Sequence, residues 1–425
     1  MDDQRDGAAL KEAIPRQDIT VSLLTGGGDR PYAFGLATEL MSKGAVLDII
    51  GSDELDSPQF HANPRVRFLN LRGDQRSDVS FLGKLRRVLL YYVKLIGYAA
   101  GAKPRIFHIL WNNKFEVFDR TLLILYYRML GKRIVLTVHN VNAKKRDGKD
   151  TWLNRFTLRM QYRQADHIFV HTEEMKRELS SEFGVDSRRV TVVPFGVNND
   201  APDTHLTPKE AKDRLGIQQS EKAILFFGNI LPYKGLEYLV DAFQRVAALG
   251  GDYRMIIAGR AARHQEYWAG IRERIDEDVK KGRVVLRADF IPDEETEVYF
   301  KAADVLVLPY RHIYQSGVLF LAYGFGLPVL ASDVGSLRDD IVEGKTGFLF
   351  RSEDAVDLAK KIMDYFQSEL FANLSTHRQD IRDYVKRQHS WDIAGMETVR
   401  LYSDLHNEDS ISRVQKSTAM GKVPR

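Results

Sequence analysis

The chain contains no cysteine in its 425 residues, which excludes disulfides, thiolate nucleophiles and cysteine-ligated zinc. It also lacks a dominant charge: 62 Lys and Arg stand against 58 Asp and Glu, a net of +4. No basic run resembles a nucleic-acid-binding tail, so no nucleic-acid partner is expected. No stretch reaches the roughly 18 consecutive apolar residues of a membrane-spanning helix. The polar start, Met1-Asp2-Asp3-Gln4-Arg5-Asp6, has no apolar centre of the kind a secretion signal needs. Together these absences predict a cytoplasmic protein. The length exceeds what one hydrophobic core usually organises, so two domains are expected.

What is present is a regular alternation. Short β-branched runs recur at 19–24, 46–50, 66–69, 106–110, 134–138, 167–170 and 190–193. A second series follows at 223–227, 254–258, 284–286, 305–308, 329–331 and 348–350. Helical patterns lie between them; over 236–249, Leu236, Leu239, Val240, Phe243 and Ala247 fall on one face. Strand–helix alternation predicts parallel sheets with right-handed crossovers, an α/β protein of doubly wound layers.

The best boundary is the polar stretch 196–208, with Asn198-Asn199-Asp200 and two prolines. It divides the chain into a polar segment 1–17, a first domain 18–197, a linker 198–210 and a second domain 211–390. A final helix 391–406 precedes a polar tail 407–425, expected to be disordered. In open parallel sheets ligands bind beyond the carboxyl ends of the strands, so chemistry is sought in the loops that follow them.

Two such loops stand out in the second domain. In Phe226-Phe227-Gly228-Asn229-Ile230-Leu231-Pro232-Tyr233-Lys234-Gly235, a strand ends, a Gly/Pro loop follows and a helix opens. Lys234 and the free amides at that helix start could meet a diphosphate; the alternative is a solvated lysine in an ordinary loop. In Tyr314-Gln315-Ser316-Gly317-Val318, Ser316 suits an N-cap, and the amides of Ser316, Gly317 and Val318 would form an anion site. The alternative here is a buried helix with an unremarkable cap. Gly344-Lys345-Thr346 is not a Walker sequence, because position 339 is Asp where the first glycine is required.

These pieces, followed by Gly326-Leu327-Pro328-Val329, Asp333-Val334-Gly335 and Gly344-Lys345-Thr346-Gly347, resemble family 4 glycosyltransferases in order and spacing. Ala165-Asp166-His167-Ile168 and Val193-Pro194-Phe195-Gly196-Val197 are similar to the same family, and the likeness extends from about residue 19 to 350. The resemblance implies the GT-B fold: two doubly wound, Rossmann-like domains facing a central cleft, with the final helix crossing back to the first. It further implies a retaining hexosyltransferase that takes a nucleotide-diphosphate-sugar donor in the second domain and a carbohydrate or lipid-linked acceptor in the first. No metal and no cofactor would be needed, since cations and helix N-termini stabilise the departing diphosphate.

The sequence departs from the family pattern in two places. Where the family carries a Glu-x7-Glu pair, this chain has Ile313 and Leu321, and Asn229 replaces a usual arginine. A subset of the family has Gln-Ser-Gly-Val in this region, which assigns Gln315 and Ser316 to the donor. The same resemblance assigns Gly228, Asn229, Gly317 and Val318 to the donor, with backbone around Phe290 for the base. Lys234 is then the principal cation.

In the first domain, Thr25-Gly26-Gly27-Gly28-Asp29 follows the first strand; it does not fit Gly-x-Gly-x-x-Gly. It resembles the family's glycine loop, which assigns Gly27 and Gly28 to the donor. His139 in Thr137-Val138-His139-Asn140 matches a family histidine that touches the transferred sugar; a structural histidine is the alternative. Asp339 matches an acidic family position for which a structural role is expected. Residues 81–100 carry Lys84, Arg86, Arg87 and Lys94 among Leu, Tyr and Ile. Such a helix suits either a cover over the first sheet or peripheral contact with an anionic membrane. Two other classes stay open. One is a non-catalytic sugar-nucleotide binder, motivated by Ile313 and Leu321. The other is a sugar-nucleotide epimerase, for which the sequence shows no set of cleft carboxylates and histidines.

Overall fold

The computed structural model describes residues 19–28, 30–75, 80–146, 148–196, 202–261 and 264–420, with backbone alone for Arg146 and 409–420. Residues 197–201 of the expected boundary, and Asp29, lie outside the described residues. Among the described residues, thirteen strands form two parallel sheets. The first comprises β1 (Thr20–Leu24), β2 (Val46–Gly51), β3 (Val66–Asn70), β4 (Ile106–Ile109), β5 (Arg133–Thr137), β6 (His167–Val170) and β7 (Val190–Val192). The second comprises β8 (Lys222–Phe227), β9 (Tyr253–Ala258), β10 (Val284–Arg287), β11 (Val305–Leu308), β12 (Val329–Ser332) and β13 (Gly347–Phe350). Every strand falls within one residue of its predicted bounds.

The order is β3-β2-β1-β4-β5-β6-β7 in one sheet and β10-β9-β8-β11-β12-β13 in the other. Helices cover both faces of each, which is why the central strands read as unbroken apolar runs: Val305-Leu306-Val307-Leu308 is buried throughout. Each sheet accordingly has two apolar layers, one per face. The helix Leu236–Ala248 buries Leu236, Leu239, Val240, Phe243 and Val246. Val246 takes the place expected of Ala247, and each large side chain contributes about 1.5–3 kcal/mol of burial.

The stretch assigned to a linker is helical at its end. Thr207 and Glu210 form a reciprocal capping box that starts a helix at Pro208–Arg214. The last helix also differs from expectation, running Trp391–Met420 rather than giving way to a disordered tail at residue 407; residues 421–425 lie outside the described set. This helix packs on the first domain through Ala394, Val399, Tyr402 and Leu405. Trp391 lies against Gly35 and Gly196, where any Cβ would run into its indole. The Tyr402 hydroxyl reaches His108 Nδ1 at 2.6 Å beneath the sheet.

Candidate active site

In each sheet the strand order reverses once, between β1 and β4 and between β8 and β11. A crevice opens at such a switch point because the flanking loops leave in opposite directions. The loops found there are 25–28 and 110–113 in the first domain, and 228–235 and 309–316 in the second.

The second-domain crevice brings together Gly228 and Val318, which are 90 positions apart. Gly228 ends β8 at φ +102°, a conformation that glycine adopts without strain. A Cβ there would sit 3.0 Å from Lys234 Nζ and 3.6 Å from a Val318 methyl. Lys234 closes a 3-10 turn, Pro232–Lys234, and is 8% exposed. Its ammonium lies 5.5 Å from the ring centre of buried Tyr310. Burial pushes the Tyr310 phenol up to about 12, while its hydrogen bond with Ser316 pulls the other way.

Ser316 occupies the N-cap of the helix Gly317–Gly324, but its side chain makes no capping hydrogen bond. Its hydroxyl lies near the Tyr310 phenol, and the first-turn amides are left for another acceptor. Gln315 presents a buried Oε1 with no partner, and its Nε2 lies 3.5 Å from Asp340. Burial pushes the Asp340 carboxyl up to about 7. Asn229 is exposed beside the loop of Arg260, whose carbonyl accepts from the Ile230 amide at 3.0 Å. Phe290 stands apart, 67% exposed after β10. Ile313 is buried at 6% exposure, its carbonyl lying where Gly335 would carry a Cβ.

In the first domain, His139 stacks flat on Trp111 with ring centres 4.2 Å apart and 6° between planes. Tyr32 meets it edge-on at 4.6 Å. Its Nδ1 lies 3.0 Å from His171 Nε2, and His171 Nδ1 lies 3.2 Å from the Val193 carbonyl. A carbonyl only accepts, so His171 carries its proton on Nδ1 and its Nε2 accepts from His139. That leaves His139 Nε2 as a lone pair, and it has no hydrogen-bond partner. Burial, then the neighbouring histidines, hold His139 well below its usual value, so the ring is neutral. His139 also lines a cavity of about 200 Å³ together with Trp111, Asn112, Glu116, Arg120 and Gln161.

Gly27 and Gly28 owe their lack of a side chain to close packing: a Cβ on either would strike Arg72 or the Trp111 ring. Arg72 donates to the Gly26 carbonyl and, at 3.3 Å, to Asn113. Trp111, His171, Arg72 and Tyr310 escaped the sequence reading. Trp111 and His171 had a usable signal, since each lies immediately past a predicted strand, 106–110 and 167–170. Among the described residues, no three His, Asp or Glu side chains converge to hold a metal ion.

Two parallel-sheet domains, each with its ligand crevice at the switch point and joined by a terminal helix that returns to the first, define the GT-B fold. Comparisons with known proteins agree. The profile described as Glycosyltransferase Family 4 matches residues 9–201, and that described as Glycosyl transferases group 1 matches residues 221–368. The chain belongs to glycosyltransferase family 4.

A D-inositol 3-phosphate glycosyltransferase of Geodermatophilus obscurus is 31% identical over 220 residues, covering 47% of this chain and 45% of that protein. A 2-deoxystreptamine glucosyltransferase of Streptomyces kanamyceticus is 27% identical over 237 residues, covering 55% and 60%. The matches thus span about half the length of these curated relatives. Among solved structures, sucrose-phosphate synthase from Thermosynechococcus elongatus superposes with a TM-score of 0.72 at 18% identity, covering 92% of this chain and 100% of that one. Anabaena HepE in complex with UDP-glucose gives 0.66 at 15% identity, covering 90% and 99%. At such identities the likeness is one of fold.

Proposed function

We propose that the protein is a retaining glycosyltransferase that moves a hexosyl group from a nucleotide-diphosphate-sugar to an acceptor hydroxyl, in glycan, exopolysaccharide or glycolipid assembly. The observation that carries this reading is the convergence of Lys234 Nζ, the Gly228 turn and the first turn of Gly317–Gly324 at the β8/β11 switch point. A buried ammonium at the Gly228 turn, with the uncapped first turn of a helix on the other side of that turn, suits a diphosphate, whose charge grows as the sugar departs.

In this reading the acceptor oxygen bonds to the anomeric carbon on the face from which the diphosphate leaves. The bond from that carbon to the β-phosphate oxygen breaks, and the acceptor proton passes to the released phosphate. Lys234 and the amides of Gly317 and Val318 hold that growing charge. His139, neutral with its Nε2 lone pair, accepts from a sugar hydroxyl, and Trp111 and Tyr32 fix its plane. Gln315 Oε1, buried and unpartnered, accepts from the donor in place of the carboxylates absent at Ile313 and Leu321. The base lies along the exposed loop at Phe290.

The test is a thermal-shift panel of UDP-, GDP- and ADP-sugars, followed by NMR of the product's anomeric configuration with the stabilising donor. Specific stabilisation and a retained configuration are expected. An inverted product would overturn the mechanism. Donor binding without sugar release to any acceptor would favour a non-catalytic binder, the reading that the buried Ile313 supports.

A further inference from the structure

The helix Phe81–Gly101 covers one face of the first sheet with Tyr91, Tyr92, Leu95 and Ala99, yet its other side is not a polar solvent face. Phe81 is 78% exposed, and Leu85, Leu89 and Val93, each four residues further on, are 38%, 50% and 67% exposed. The helix carries Lys84, Arg86, Arg87 and Lys94 and not one acidic residue. A cover helix needs neither feature.

Beside this helix lies a cavity of about 370 Å³, walled by its residues Arg86, Arg87, Leu90, Tyr91 and Lys94 and by the segment 71–73. Among the described residues that line it, four side chains are cations, counting Arg72, and none is a carboxylate; the nearby Asp74 backbone carbonyl accepts from Arg87. Arg72 has a buried Nε with no partner, and its guanidinium also holds the Gly26 carbonyl. The cavity therefore adjoins the glycine loop of the cleft.

Further exposed apolar groups belong to the same side of the domain. The helices after β4 and β5 pack into the same apolar layer as Tyr91 and Leu95. They expose Val117 and Leu122, and a stacked pair, Trp152 and Phe156, with ring centres 5.6 Å apart. Val117, Leu122, Trp152 and Phe156 sit in the first two turns of helices that follow parallel strands, as Phe81 and Leu85 do in theirs, and such turns lie at the carboxyl edge of the sheet, where the cleft opens.

We propose that this flank docks on an anionic lipid bilayer, with the exposed apolar side chains of Phe81–Gly101 in the interface and a lipid phosphate in the Arg72/Arg86/Arg87/Lys94 pocket. Charge selects this occupant over a second copy of the chain, because a two-fold contact would set the same cations against each other. The docked orientation turns the cleft toward the membrane, so a lipid-linked acceptor enters without leaving it. That consequence rests on the proposed transferase reading; the docking itself does not.

The experiment is co-sedimentation of the full chain with phosphatidylcholine vesicles and with vesicles that also contain phosphatidylglycerol. The wild type is expected on the anionic vesicles alone. Each cation near such a surface strengthens binding about fivefold, so the double variant R86Q/K94Q should bind roughly 25-fold more weakly. The variant L85S/V93S should also lose binding, and both should keep the wild-type melting temperature because the altered residues are exposed. Wild type left in the supernatant, or R86Q/K94Q bound as well as wild type, overturns the proposal. So does a wild-type dimer that L85S/V93S dissociates without any vesicle binding. Stabilisation by nucleoside diphosphates, measured on the same samples, separates the two readings. Its presence without vesicle binding overturns docking alone, and its absence with vesicle binding overturns the donor assignment alone.

Discussion

Replacing Lys234 by methionine separates a lysine that grips a diphosphate from one that merely fills the loop. Methionine keeps the length and most of the volume of the side chain in a slot only 8% exposed, so the packing of Gly228, Val318 and Tyr310 should persist. What is lost is one cation aimed at a departing anion, an effect of the size seen when a single oxyanion donor is removed, roughly 10²–10³ in kcat. Binding should weaken less, because ground-state and transition-state charge differ. A nucleoside diphosphate at 100 times Kd stabilises the wild type by about 2.7 kcal/mol. For a domain of this size that is a rise in Tm of roughly 5–10 °C. If the ammonium contributes about 1.4 kcal/mol to ground-state binding, Kd rises tenfold and the same concentration gives about half that rise. The assay is differential scanning fluorimetry with and without UDP, GDP and ADP, together with donor turnover. Wild-type turnover and an undiminished Tm rise in Lys234→Met would refute the assignment of Lys234 to the diphosphate.

Two further outcomes follow from the first domain. Gly28→Ala should lower activity while leaving most of the fold intact: the new methyl must displace the Trp111 ring, which frees His139 from its stack, and a visible loss in kcat with a near-native melting curve is expected. Acid should destabilise the protein between about pH 6.5 and 4. Burial holds His108 at about 3 and both His167 and His171 at about 4, so in that window the unfolded chain takes up protons that the folded one refuses. The stability is fully present above about pH 6.5 and is lost as pH falls toward the folded values, at about 1.4 kcal/mol per pH unit for each histidine. Asp340, raised to about 7, works in the opposite direction over the same range and cancels about one histidine. Urea midpoints at pH 7 and pH 5 should therefore differ less in His108→Gln than in the wild type, and an unchanged difference would rule out His108 as a source.

Thirteen strands, their near-exact bounds and the parallel doubly wound layers were legible in the sequence because buried parallel strands must be apolar runs between turn residues. The loop of Gly228 and Lys234 and the helix start at Ser316 were legible for a related reason: a strand's carboxyl end has a fixed signature. The long helix 81–101 was legible too, with its cations and its apolar residues. The sequence could not say which loops meet. Strand order depends on crossovers between residues far apart in the chain, and only that order sets β8 beside β11 and β1 beside β4. It follows that Val318 closes on the Gly228 turn beside Lys234, that Trp111 lies flat on His139, and that Arg72 fills the space a side chain at Gly27 would need. The Ser316 hydroxyl shows the limit most plainly: local pattern assigns it to the cap of its own helix, but in the fold it makes no capping bond and lies near the Tyr310 phenol at the end of β11. Local chemistry determined the elements and where their reactive ends lie; long-range packing decided which of those ends face one another, because a buried polar group takes the partner that the assembled core leaves within reach.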